Sequence, residues 1–229
     1  MALMFCVSVG RKRQLTMSQI TKQPRSGRTR LIVVAAILVV IGLIAVDTTI
    51  VKIGSEKDFR QQAFSPDAYG KSQFPRIREL VNSRAVDAVE LANALASDKK
   101  AAIKNHATAV GAFPVFPVKF SGLIGEGKSG VYNISVDGLP EGTKIRVQSG
   151  PAINGTELRD ISGDIEFGAF KNQIEYQNAG AGINRAMSST ILSQLDRDAL
   201  AGKSVEVVGV FKLINPKNWL VTPVEFDTK

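Results

Sequence analysis

Residues 31–46, LIVVAAILVVIGLIAV, contain no charged and no strongly polar side chain. No other stretch restricts the fold as much. A helix that is apolar on every face must be enclosed by hydrocarbon, whether a protein core or a bilayer. Sixteen such residues reach about 24 Å as a helix, and a bilayer core of about 30 Å asks for nearer twenty. Running on through Asp47, Thr48, Thr49 and Ile50 closes that gap and sets the Asp47 carboxylate at the interface. The expected element is a membrane span over residues 31–50, in preference to a buried helix of a soluble protein.

The flanks orient it. Arg11, Lys12, Arg13, Lys22, Arg25, Arg28 and Arg30 precede the run, with no Asp or Glu among them. Positive charge beside a span stays on the cytoplasmic side. The expectation is a single-pass inner-membrane protein with a basic cytoplasmic tail (1–30) and its C-terminal part in the periplasm. A cleaved signal peptide would show small residues in an A-x-A pattern, and Ile44-Ala45-Val46-Asp47 has none. A second start at Met17 would leave a shorter tail, and residues 1–16 are expected to be disordered.

The net charge of +8 resembles that of a nucleic-acid binder. It is a topology signal instead: beyond residue 46 there remain 22 bases against 21 acids. No nucleic-acid partner is expected; the membrane is. Cys6, the only cysteine, precedes the span, so the exported part holds no disulfide and no thiolate metal site. His106 is the only histidine and sits in a Lys-rich helical stretch, which argues against a serine-protease-like triad. No phosphate-binding loop, dinucleotide fingerprint, zinc spacing or internal repeat is found, so no cofactor and no metal are expected.

Ile50–Ile53 reads as a short strand or the exit from the span. Residues 51–111 form a linker and a small helical subdomain. Ser65 caps a helix with Pro66 in its first turn, and Pro75 interrupts it or starts a second. Ile77, Leu80 and Val81 follow helical spacing, and Ser83 can cap the next piece, with Val86, Val89, Leu91 and Leu95. Asp98 caps a short helix ending at His106. Residues 112–119 carry two prolines, which argues for an extended crossing segment instead of a central strand.

Residues 112–229 read as β-rich. Strands are expected near 120–125, at Val131–Val136 before the Asp137-Gly138 turn, and at Lys144–Gln148. Another is expected within 161–170, continued by 173–176. Asn178 then caps a helix with Ile183, Met187, Ile191 and Leu195 on one stripe. Residues 204–213 form the clearest strand, with a bulge at Gly209. Asn215–Asn218 is a hairpin loop, and Trp219–Phe226 returns with Pro223 at an edge. Five strands with one helix between the third and fourth follow the order of an OB-type barrel. The fold class is α+β: an N-terminal transmembrane helix, a helical subdomain and an OB-like β-barrel with one inserted helix.

Three stretches carry a family resemblance: PAINGTELRD (151–160), FGAFKNQIEY (167–176), and GKSVEVVGVF (202–211) with LVTPVE (220–225). Together they resemble the predicted periplasmic lipoproteins of domain-of-unknown-function family 2291. The resemblance implies a helical subdomain on an OB-like barrel, and association with ribose- or xylose-type sugar ABC transporters. It implies no catalytic residues. The lipidated Cys of many members is missing here; Asp47 lies about where it would be.

Two polar groups are candidate ligand sites. Around Gly155, Thr156, Arg159 and Asp160 could grip a hydroxylated ligand, since guanidinium and carboxylate both bond hydroxyls well. The same residues could equally be a helix start with Thr156 as cap and Arg159 in a structural ion pair. Asn172, Gln173 and Tyr176, beside Phe167 and Phe170, have the composition of a carbohydrate site or of a strand's outer face. Asp160, Asp164 and Glu166 could recur as an acid pair or cation site only if they converge. The expected function is a non-enzymatic, membrane-anchored accessory or binding module linked to sugar ABC transport, its partners the transporter permease or solute-binding protein. The alternatives are a carbohydrate or small-ligand binder and, behind that, a weak hydrolase.

Overall fold

The computed structural model describes residues 27–47 and 64–229. These belong to two units, one ending at Gln62 and one running from Ala63 to Lys229. The expectations for residues 1–16 and for a strand at Ile50–Ile53 lie outside the described residues.

In the first unit, helix α1 (Gly27–Asp47) covers the apolar run. Every side chain from Leu31 to Ile44 is exposed. Among the described residues no helix is long and apolar enough to cross a membrane. The span expected over 31–50 is therefore not shown by the fold, and 48–50 lie outside the described residues.

The second unit opens with helix α2 (Pro66–Arg84), capped by Ser65 as expected. Pro75 does not end it; the helix runs through and turns this residue outward. Phe74, Ile77 and Val81 form its buried stripe. A two-residue strand β1 (Val86–Asp87) follows, and Asp87, not Ser83, caps α3 (Ala88–Ser97) by accepting the Val89 and Glu90 N–H groups. Asp98 caps α4 (Lys99–His106).

Five longer strands close on one another: β2 (Val115–Lys128), β3 (Val131–Ser135), β4 (Lys144–Gln148), β5 (Ser204–Lys212) and β6 (Asn218–Thr228). β2 pairs with β3 and β5, β3 with β4, β4 with β6, and β6 with β5. Only β4–β6 is parallel in this ring. β1 adds parallel to the outer side of β2. Closure leaves no long free edge.

From Val115 on, the two-proline segment is thus part of a strand, with Pro114 just ahead of it. Pro117 stands opposite Val210 in the β2–β5 ladder. Val115 exchanges both backbone hydrogen bonds with Thr108, away from β5. Pro117, two residues on, turns its nitrogen to that same side, so its missing N–H removes nothing from the ladder. The bulge lies at Gly209 as expected, but the extra residue is Val224 on the facing strand. That residue flips the alternation of β6, so Trp219 and Val221 before it and Val224 and Phe226 after it are all buried. Phe116, Phe211 and Trp219 stack in the core, with Phe211–Trp219 centroids 4.4 Å apart.

Between β4 and β5 the expectation of a strand over 161–170 fails. Glu157–Asp160 is a single helical turn, α5, and Phe167–Ala169 is a 3-10 turn. Helix α6 (Gln173–Met187) starts six residues earlier than expected, capped by Asn172 instead of Asn178. A π-helical segment, Ser188–Leu192, continues it.

Helices α2 and α6 cross backbone to backbone. A Cβ on Gly182 would lie 1.9 Å from the Pro66 carbonyl oxygen, and one on Gly70 would lie 2.1 Å from that of Gly182. Gly182→Ala should therefore destabilise the unit at the upper end of the roughly 1–3 kcal/mol usual for overpacking. Urea unfolding should show a lower midpoint with an unchanged slope. Gly168→Ala, where nothing lies within 4 Å, should leave the midpoint in place.

Candidate functional site

The loop after β4 carries the first candidate group. Gln148, buried at the end of β4, brackets Asn154: its Nε2 donates to the Asn154 carbonyl at 3.0 Å, and its Oε1 accepts the Asn154 N–H at 2.9 Å. The same Nε2 donates to Thr222 Oγ1. From α6, Asn184 Nδ2 donates to the Gly155 carbonyl at 2.9 Å. Gly155 itself has φ +100°, which an L side chain rarely adopts. These bonds fix where α5 begins.

Thr156 holds the cap position of α5, yet its hydroxyl accepts no backbone N–H there. It donates to Asp160 Oδ2 at 2.7 Å. Arg159 and Asp160 are both buried, 7% and 6% exposed. Arg159 Nε and Nη2 meet Asp160 Oδ1 at 2.8 and 2.7 Å. Arg159 Nη1 donates to the Tyr176 carbonyl at 3.1 Å, and the guanidinium lies 3.7 Å from the centre of the Tyr176 ring. Lys212 Nζ, from the end of β5, reaches Asp160 Oδ2 at 3.3 Å and Thr156 Oγ1 at 3.2 Å.

Asp160 thus accepts at both oxygens, twice each, which fills a carboxylate's capacity. Among the described residues, no buried side-chain polar atom lacks a partner. The group joins α5, α6 and β5, and Asp160 keeps no open acceptor position for a ligand hydroxyl. Of the six candidates, Thr156, Arg159, Asp160 and Tyr176 meet. Asn172 is an exposed helix cap, and Gln173 lies exposed in the first turn of α6. Asp160 and Asp164 engage different groups: Asp160 turns inward, while Asp164 pairs with exposed Arg76 at 2.6 Å. Among the described residues no cluster of three or more His, Cys, Asp or Glu could hold a metal.

Burial pushes the neighbouring Glu157 carboxyl above its ordinary range; Asp160 adds to the rise and Lys212 opposes it. A carboxyl with a raised folded value contributes stability below its unfolded value, about 4.3 for Glu. That contribution is lost as pH rises through the folded value. Glu157→Gln should therefore match the parent at pH near 4 and melt higher at neutral pH. Thermal melts across that range check the sign; a lower melting point for the variant at pH 7 contradicts it.

A second site escaped the sequence reading. A groove of about 530 Å³ runs between α2, the end of α6 with its π-helical segment, and β6. Lys71, Phe74, Arg78 and Asn82 line one wall and Ser189 and Thr190 the other, with Glu225 between. Arg78 Nη2 and Asn82 Nδ2 donate to Glu225 Oε1 at 3.1 and 2.7 Å. The volume and the mix of apolar floor and convergent polar groups suit a small ligand. The signal was the spacing of Lys71, Arg78 and Asn82 along one helix face, which only the partner Glu225, 143 residues from Asn82, turns into a site.

The fold is similar to that of a solved OB-fold protein from Thermotoga maritima. It is 20% identical, with a TM-score of 0.59, over 73% of this chain and all of that one. This likeness shows the fold alone. No curated protein matches the chain. Residues 34–227 match the model of a family described as predicted periplasmic lipoprotein, DUF2291. That match spans most of the apolar run, the helices of the folded unit and nearly all of the closed sheet, and the chain belongs to this family of predicted periplasmic lipoproteins of unknown function.

Proposed function

We propose that the chain is a membrane-tethered, non-enzymatic module of the periplasm that serves a sugar ABC transporter as an accessory, with the permease or the solute-binding protein as partner. The observation that carries the tether is α1: 21 helical residues, about 31 Å long, with every described side chain from Leu31 to Ile44 exposed. Exposed on all sides, that apolar surface needs hydrocarbon around it. Seven bases precede or open it and no acid does, which orients the folded unit outward. A lipid on a cysteine after the apolar run is not available to this sequence, since Cys6 is the only cysteine; α1 takes that role as the anchor. The non-enzymatic reading is supported by the closed Arg159–Asp160 group, which serves packing.

Membranes solubilised in mild detergent and captured through a C-terminal tag should yield the permease or the solute-binding protein in near-equal amount. Repeated recovery of the tagged chain without either contradicts the accessory role.

The α2 groove favours a second reading, a small-ligand or carbohydrate binder. Calorimetry against pentoses and short oligosaccharides should show heat that Glu225→Gln abolishes. No heat with any of them removes this reading.

A further inference from the structure

Five rings meet outside the closed sheet. Phe64, Tyr69 and Phe170 form a triangle with centroids 5.5 to 5.6 Å apart. Tyr176 joins it 5.5 Å from Phe170, and Phe167 packs edge-on to Tyr176 at 5.7 Å. The outer side is open: Phe167 is 49% exposed, and Ile174, in the first turn of α6, is 70% exposed. Apolar surface left open beside half-buried rings marks a contact face. Phe113, Leu123 and Ile214 are also exposed, and among the described residues none of them lies in a ring cluster.

What covers the patch follows from chain connection and charge. Phe64 belongs to the patch and is the first described residue of the folded unit; residues 48–63 join it to α1. Sixteen residues extend at most about 55 Å, so a bilayer around α1 is within reach. Lys171 lies beside Phe170 in the chain, and its ammonium has no partner among the described residues. The acids nearby are engaged: Asp67 by Arg185, Asp164 by Arg76, and Glu175 by the Lys171 backbone N–H. Glu166 alone has no partner among the described residues. Rings, exposed amides and one open cation are the set that settles at the headgroup level, with apolar bodies inward and polar edges wet.

We propose that the patch of Phe64, Phe167, Phe170, Ile174 and Tyr176 seats the folded unit on the periplasmic surface of the bilayer. Phe167 and Ile174 enter the boundary between headgroups and acyl chains, and Lys171 meets lipid phosphate. This rests on the tether reading, and the test separates the two.

The full chain with Cys6→Ser and Ile174→Cys is labelled with an environment-sensitive dye. It is reconstituted in vesicles of phosphatidylethanolamine and phosphatidylglycerol that carry nitroxide-labelled lipid. A second chain carries Lys104→Cys, on α4, in place of Ile174→Cys. The dye at 174 should lose most of its emission to the nitroxide and the dye at 104 little, and adding Phe167→Ser should restore emission at 174. Equal quenching at both positions, on chain that stays with the vesicles through an alkaline wash, overturns the seating. Release of the chain by that wash overturns the tether instead.

Discussion

Arg159→Met should destabilise the folded unit by about 3–5 kcal/mol, the range for removing one partner of a buried ion pair. The substitution leaves Asp160, 6% exposed, with Lys212 at 3.3 Å as its only cation. It also frees the Tyr176 carbonyl and uncovers the Tyr176 ring. Denaturant unfolding followed by far-ultraviolet circular dichroism reads the loss. The informative companion is Arg159→Met with Asp160→Leu. Replacing both charges by apolar groups of similar size should recover a large part of the loss, and the double-mutant cycle gives the coupling directly. A single variant that stays within about 0.5 kcal/mol of the parent, the usual range for surface changes, would mean that the pair does not hold α5, α6 and β5 together.

Trp219→Ala should cost about as much, roughly 3–5 kcal/mol for an aromatic removed from a core. Trp219 is fully buried and lies against Phe211 at 4.4 Å, which in turn stacks on Phe116. One ring from each of β2, β5 and β6 is held in that stack. The indole N–H donates to the Pro216 carbonyl at 2.8 Å, so the side chain also closes the turn between β5 and β6. Trp219→Phe keeps part of the stack and loses the turn bond, and should fall between parent and alanine variant. The readout is the same unfolding midpoint.

Both effects show what the sequence could and could not convey. The strands over 144–148 and 204–213 were legible because alternating β-branched residues mark a half-buried sheet whatever their partners are. So were the Ser65 and Asp98 caps, which act on backbone groups two or three residues away. The stretch around Phe167 was not. Phe167 and Phe170 read as strand positions, yet a 3-10 turn aims these residues, three apart in the chain, at the same ring cluster. Taking 173–176 as strand then displaced the cap from Asn172 to Asn178. Pro117 misled for a related reason: the rule against proline in a strand depends on which way the N–H would point, and that is settled by Thr108 on a neighbouring segment.

The candidate site was half legible. Arg159 and Asp160 are adjacent in sequence, and an ion pair was one of two readings. What decides between them is Lys212, 52 residues away, and the Tyr176 ring on another helix. The groove on α2 was missed because its lining reads, residue by residue, as an ordinary solvated helix face.

As the proposed membrane anchor, α1 would leave the closed sheet and its helices in the periplasm. Protease treatment of spheroplasts expressing the chain with a C-terminal tag tests this most directly. The tag should be digested while spheroplasts are intact and a cytoplasmic marker survives, with the remaining fragment pelleting through alkaline wash. A tag protected until lysis, or a fragment left in the wash, would contradict it.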